Sequence, residues 1–374
     1  MTKRAWLVLV ALAACAEPPF SIPEWSLDPP HLSVGGLTDD EGQTLSQVVG
    51  AVLLPNDHLI IADHYVQGLR EFDGEGRLLR TAGGQGEGPG EYQYIRGVAR
   101  CDGANVVAFD LQWTLNVYDP ELNWQSSRPA ELPGLGVPGT PYRLDCEPGG
   151  HLIATGWGDT RTATRPGYFL ASAPVVLVHG DELIHEFGDR LSSERYGTAN
   201  EAGVLTGSGP HPFGRETEVA IGERNVFLGD ASTYAVEVYD LSGTLVDSII
   251  WSGPSRDITE ADYDRYIADA VADAPPERHA SIRSRLSEVL PSVTAFPAYD
   301  ELRVDDRGDL WVRHFPRPGA EVAEWMVFGV DRGPTGSLRV PVSWTILDVV
   351  GDRVVYLERD DLDVEAVHVA RLVR

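Results

Sequence analysis

His58-Leu-Ile-Ile-Ala-Asp63, then Leu69-Arg-Glu-Phe-Asp73 and the turn Gly74-Glu-Gly76: this stretch returns 47 residues later as Asn105-Val-Val-Ala-Phe-Asp110, then Leu115-Asn-Val-Tyr-Asp119 and Pro120. Each copy is an apolar run closed by an acidic residue, a second apolar run, and a turn. The same grammar recurs at Asn225–Asp230 with Val236–Asp240, at Asp309–His314 with Trp325–Gly329, and at Arg353–Glu358 with Val364–Val369. A weaker copy, His151–Thr155 with Val175–Val178, lies between the second and third clear ones. Short runs rich in β-branched residues and bounded by Gly, Asp and Pro read as strands. Strands repeating with a period near 46 residues predict a β-propeller with one four-stranded blade per repeat.

The expected fold is therefore all-β. With residues 255–297 set aside, the stretch 41–374 holds about six such periods, so the expected architecture is a six-bladed β-propeller over 31–374. The last repeat ends after its third strand. The segment His31-Leu-Ser-Val-Gly-Gly36 is expected to supply the fourth and close the ring, removing open sheet edges. The set-aside segment, 255–297, reads as a helical insertion. Thr259-Glu-Ala-Asp262 fits a capping box, and Tyr263, Tyr266, Ile267, Ala270 and Val271 fall on one face at helical spacing. Pro275-Pro276 stops that helix. A second, over about Glu277–Leu290, carries Ile282, Leu286, Val289 and Leu290. The hairpin is read either as a cover for blade surface or as a lid or docking element.

Charge narrows the function classes. The 374 residues carry 30 Lys and Arg against 57 Asp and Glu, a net charge of −27. That balance argues against nucleic acid and anionic bilayers, both of which reward clustered positive charge. Lys3 is the only lysine, so Schiff-base chemistry and a P-loop lysine are excluded from the mature chain. At the start, Lys3 and Arg4 precede the apolar run Ala5–Ala14, too short to span a bilayer, and Leu12-Ala13-Ala14-Cys15 follows the pattern of a bacterial lipobox. The expectation is a signal peptide over 1–14, lipidation at Cys15, and a proline-rich tether over 15–30. The membrane would then be reached by the lipid anchor alone, on the periplasmic side of the outer membrane or at the cell surface. In that oxidising compartment Cys101 and Cys146, which stand at similar places in their repeats, are permitted a disulfide; two free buried thiols are the alternative.

The stretch Gly83-Gly-Gln-Gly-Glu-Gly-Pro-Gly-Glu-Tyr92, followed by Tyr94-Ile-Arg-Gly-Val-Ala99, resembles the inter-blade signature of NHL-like six-bladed β-propellers, in particular poorly characterised bacterial propeller lipoproteins. The resemblance is good over about 45–125 and looser over 41–374. It implies the fold and is silent on chemistry. The run is no phosphate cradle: it has no lysine, carries Glu87 and Glu91, and precedes a strand instead of a helix.

Three groups of residues compete for a functional role. Asp63, Asp110, Asp230, His314 and Glu358 end the second strand of their repeats, and with His64 they form a candidate channel-face site for Ca²⁺ or another divalent cation. The competing reading is that each Asp binds the N–H groups of its own turn. Trp157, Arg161, Arg165 and Tyr168 in the third repeat, with His211 in a Gly/Pro loop, form a candidate binding loop. No catalytic motif such as a GxSxG elbow or HExxH is present. The reading is a ligand- or protein-binding envelope lipoprotein. The alternatives are a metal-dependent propeller enzyme of the lactonase or amidating-lyase type, and a structural scaffold.

Overall fold

The computed structural model describes residues 22–37, 42–101, 103, 105–136, 141–158, 166–200, 202–360 and 362–374. Cys15, Arg161, Arg165 and the segment 1–14, expected to be a signal peptide, lie outside these residues. Two short N-terminal strands, β1 (Glu24–Leu27) and β2 (Leu32–Gly35), precede five sheets. The first sheet runs β3 (Val48–Leu53), β4 (Leu59–Asp63), β5 (Gly68–Phe72), β6 (Leu78–Gly83). The second runs β7 (Ile95–Arg100), β8 (Val106–Asp110), β9 (Thr114–Tyr118), β10 (Trp124–Pro129). A five-stranded sheet follows: β11 (Arg143–Cys146), β12 (His151–Thr155), β13 (Gly167–His179), β14 (Glu182–Ala199), β15 (Leu205–Pro210). The next is β16 (Glu218–Ile221), β17 (Asn225–Gly229), β18 (Ala235–Asp240), β19 (Leu245–Ile250). The last two groups are β20 (Tyr299–Val304), β21 (Leu310–His314), β22 (Val322–Phe328), β23 (Pro334–Pro341), and β24 (Thr345–Val350), β25 (Arg353–Arg359), β26 (Glu365–Val373).

Each group is an antiparallel meander, as the alternating apolar runs and Gly/Asp turns require. The middle strands are the most apolar and the most buried: every residue of β4 and β5 is buried, whereas β6 is mostly exposed. Apolar side chains pack between neighbouring sheets. One core joins Leu53, Ile61 and Phe72 to Val355, Leu357 and Val369, so the first sheet packs on the last. The chain is thus closed on itself. β2 pairs antiparallel with β26, Leu32 opposite Val369, and supplies that group with its fourth strand.

Two features differ from the expected six separate four-stranded units. First, the last two groups form one nine-stranded sheet, because β1 hydrogen-bonds to both β23 and β26. Residues 24–27, expected within the tether, are therefore a strand. The reason is Trp25, which buries its ring against Trp311 (centroids 5.9 Å apart) and so makes ordering the segment favourable. Second, the weak third copy is an enlarged sheet: β13 and β14 form a long hairpin, 13 and 18 residues, with β15 added at its edge.

The helical segment between β19 and β20 forms α1 (Glu260–Ala272) and α2 (His279–Val289). Thr259 and Asp262 make the capping box at the start of α1. The apolar faces of both helices close on Phe213 and Phe296, so the hairpin leans onto the segment that follows β15. Among the described residues no helix is long and apolar enough to cross a membrane.

Candidate functional site

The structure places the strand-end residues in separate local roles. Asp63 is buried, accepts the N–H of Tyr65 (2.7 Å) and is ion-paired with Arg70. Asp110 accepts the N–H groups of Gln93, Gln112 and Thr114 at 2.9–3.1 Å. Asp230 accepts the N–H of Ser232 (2.9 Å). Glu358 stands 3.2 Å from His368. His64 packs on the ring of Tyr94, centroids 4.1 Å apart. His314 is buried: its Nε2 accepts from the indole of Trp251 (3.2 Å) and its Nδ1 faces Glu324 (3.3 Å). Both ring nitrogens are thereby engaged, and burial lowers the pKa of this imidazole. Among the described residues no three His, Cys, Asp or Glu side chains converge into a metal-holding group. Asp63, Asp110 and Asp230 thus serve their own turns, while His64, His314 and Glu358 pack on or pair with neighbouring side chains.

Of the expected binding loop, Arg161 and Arg165 lie outside the described residues, and Trp157, Tyr168 and His211 have separate surroundings. Tyr168 lies on β13 and donates its hydroxyl to Glu194 (2.6 Å), which also holds Arg215. His211 is buried under α2. Its Nδ1 accepts the N–H of Phe213 (3.0 Å) and its Nε2–H donates to the carbonyl of Val289 (3.0 Å). It pins the helical hairpin and reaches no open face. Trp157 and Tyr168 are both exposed, and the ring of Trp157 stands edge-on to Tyr142 at 5.3 Å. Cys101 and Cys146 are joined in a disulfide, Cα atoms 5.6 Å apart, which ties β7's end to β11's. The Gly-rich run is structural too: Gly83 (φ 90°) lets the chain fold over Tyr92, whose buried hydroxyl donates to Tyr118.

What converges is a different set. A cavity of about 500 Å³ runs along the centre, lined by residues of β3, β7, β11, β16, β20 and β24, the first strand of each group. Its wall is ionic. Arg143 on β11 reaches across to Glu218 on β16 (2.6 Å) and to Glu216. Arg100 on β7 pairs with Asp348 on β24 (3.0 Å). The opposite oxygen of Asp348 takes the N–H of Leu53 (2.9 Å), and Asp145 takes that of Ile221 (3.3 Å). First strands have one free edge, and side chains of neighbouring sheets satisfy some of its N–H groups.

The electrostatics of this wall are uneven. Burial pushes Glu218 up to about 7, against the pull of Arg143; Glu216, Asp300 and Glu301 add repulsion. Burial also raises Asp145, opposed by Arg303. Most carboxylates of the wall are committed to partners inside the protein. By contrast, the side chains of Arg96, Arg224 and Arg307 line the cavity, are exposed, and make no hydrogen bond or ion pair among the described residues.

Sequence reading missed these residues. They are scattered as one to three charged residues through the first strands, as in Tyr142-Arg-Leu-Asp-Cys146 or Thr345-Ile-Leu-Asp-Val-Val350, and in the turns that follow them, as Arg224 and Arg307. The available signal was a charged residue in the middle of the innermost strand of several repeats.

The chain matches no protein-family model and no curated protein. Among solved structures, its fold is similar to that of a protein of Bacteroides fragilis described as exported, with 15% identity over 93% of this chain and 95% of that one and a TM-score of 0.50. More distant are virginiamycin B lyase from Staphylococcus aureus (9% identity, 94% and 100% covered, TM-score 0.43) and a calcium-binding protein, regucalcin, from Agrobacterium tumefaciens (8%, 93% and 96%, 0.41). At those scores neither bears on the chemistry of this chain. The sheet topology and the first of these likenesses define the class: a β-propeller protein.

Proposed function

We propose that this protein is a cell-envelope lipoprotein, anchored through Cys15, whose six-bladed, NHL-like propeller binds an anionic ligand in its central cavity. Two observations support a count of six blades: the nine-stranded sheet can be divided at β1 into two groups, and six first strands line the cavity. The observation that carries the binding reading is the imbalance of the cavity wall: its carboxylates, Glu223 apart, are spent on internal partners, while the side chains of Arg96, Arg224 and Arg307 make no hydrogen bond or ion pair among the described residues, Arg307 having only the attraction of Asp309. In a chain of net charge −27, guanidinium groups that line a cavity without hydrogen-bonded partners select a ligand carrying carboxylate, phosphate or sulfate oxygens. The reading is one of binding without catalysis, by a small ligand or by an acidic segment of an envelope partner.

The test is calorimetric titration of the full-length protein in detergent with a panel of small carboxylates, phosphates and sulfate. Saturable binding of at least one anion is expected, weakened at least about tenfold when Arg96, Arg224 and Arg307 are replaced together by Ala. No binding across the panel, or binding that the triple variant retains unchanged, overturns the reading.

A further inference from the structure

The arrangement of Arg143 gives the cavity a way to couple ligand to proton. Its guanidinium lies on the cavity wall, partly open to it, and splits its fork between Glu218 (2.6 Å) and Glu216. Glu218 itself is buried. The charged and titratable groups facing it are Arg143 from β11, Glu216 from the segment before its own strand, Tyr299, Asp300 and Glu301 from β20, and Arg313 from β21. Arg313 is itself bound to Asp300 (2.7 Å) and Glu301 (3.2 Å). Arg143 is therefore the cation that touches Glu218, among three further carboxylates.

We propose that an anion entering the cavity takes Arg143 away from Glu218 and that the abandoned carboxyl binds a proton, so that ligand binding and the uptake of one proton are a single linked event. The proposal rests on the anion-binding reading given above. The balance is simple: the Arg143–Glu218 ion pair opens, the Arg143–anion pair forms, and one proton passes from solvent to a carboxylate oxygen of Glu218. A buried carboxylate that loses its only contacting cation beside three like charges cannot stay ionised at neutral pH. A singly charged ligand is thus admitted without adding net charge to the cavity, and a dianion such as sulfate adds one charge instead of two. Reciprocity requires that protons favour the ligand as much as the ligand favours protonation. In the free protein Glu218 already titrates near 7, which fixes the window. Below that pH the proton is in place and affinity is level. Above it, affinity falls tenfold for each unit of pH.

Sulfate is the probe, because it does not itself titrate in this range. The full-length protein is titrated with sodium sulfate by calorimetry at pH 6.0 and 8.0, each in two buffers of different ionisation enthalpy, which gives the protons taken up per anion. The expected result is close to one proton at pH 8.0, close to none at pH 6.0, and an affinity about tenfold weaker at the higher pH. Glu218→Gln, which keeps the shape of the site and cannot titrate, should bind sulfate with no proton uptake and with equal affinity at both pH values. Sulfate binding with no proton uptake at pH 8.0 in the unaltered protein overturns the linkage and leaves the anion site standing. If sulfate does not bind, the non-titrating panel anion that binds most tightly takes its place in the same measurement, and the absence of binding at pH 6.0 by every anion of the panel overturns both.

Discussion

At the scale of single residues, Glu218 stores an unfavourable charge. A carboxyl raised from 4.5 to about 7 by burial holds its proton more tightly in the folded chain than in the unfolded one. Its ionisation therefore costs stability progressively as pH rises from about 4.5 to about 7, and the cost is level above that. A tenfold change in proton affinity is worth about 1.4 kcal/mol, so the full effect is on the order of 3 kcal/mol. Glu218→Gln removes it. Urea midpoints should then show the variant gaining on the unaltered protein between pH 5 and pH 8. A difference that stays constant across that range would mean Arg143 fully compensates the buried charge. The same residue explains what could not be read in advance. Asp63 and Asp110 were legible as turn residues because Tyr65, Gln112 and Thr114, whose N–H groups they accept, lie two to four positions further along the chain. Arg143 and Glu218 are 75 positions apart and meet only because the first strands of two sheets stand side by side around one axis. Repetition in the sequence reports what a blade does for itself. It is silent about what blades build together, and the cavity wall is of that second kind.

At the scale of elements, the same distinction separates what was legible from what was not. α1 and α2 were readable because caps and a 3.6-residue period are local signals, and β2 because Leu32 and Val34 alternate with an exposed Ser33. β1 was hidden. Pro23, Pro29 and Pro30 give its neighbourhood the composition of a tether, while its hydrogen-bond partners lie more than 300 positions away, at Ser337 and Val373. Its hold is Trp25, 5% exposed, seated over Gly336, where any Cβ would strike the indole, and covered by the guanidinium of Arg374 at 4.9 Å. Trp25→Ala should cost about 3–5 kcal/mol, the range for emptying a buried aromatic site. Hydrogen exchange should localise the loss: protection falls first at the facing edges of β23 and β26, while β3–β6 keep theirs. A loss under about 1 kcal/mol, or one spread evenly over all sheets, would show that β1 is an ornament and that β2 alone closes the ring.

At the scale of the whole molecule, the ring is closed by the packing of the first sheet on the last and by the N-terminal strands on β26, and it is opposed by its own charge. Thirty cations and 57 anions leave a net −27, and removal of residues 1–14 would make it −29 by taking Lys3 and Arg4. Ion pairs do exist at the surface, among them Arg77–Asp73 (2.8 Å), Arg265–Asp269 (3.0 Å) and Arg371–Asp352 (3.1 Å), but exposed pairs contribute little each. The two effects differ in range. Contacts near 3 Å are barely screened at 0.1 M salt, whereas repulsion across the molecule acts over tens of ångströms. Raising ionic strength from 0.01 to 0.1 M shortens the screening length from about 30 to about 10 Å, which removes the long-range repulsion and leaves the pairs nearly intact. Stability should therefore rise over this interval, in contrast to a protein held together by surface pairing. Urea is the denaturant to use, because it adds no ions. The expected outcome is a urea midpoint that climbs with NaCl from 0.01 to 0.1 M and flattens beyond. A midpoint that falls over the same interval would show that the carboxylates are balanced locally by arginine after all, and that the acidic excess does not strain the closed ring.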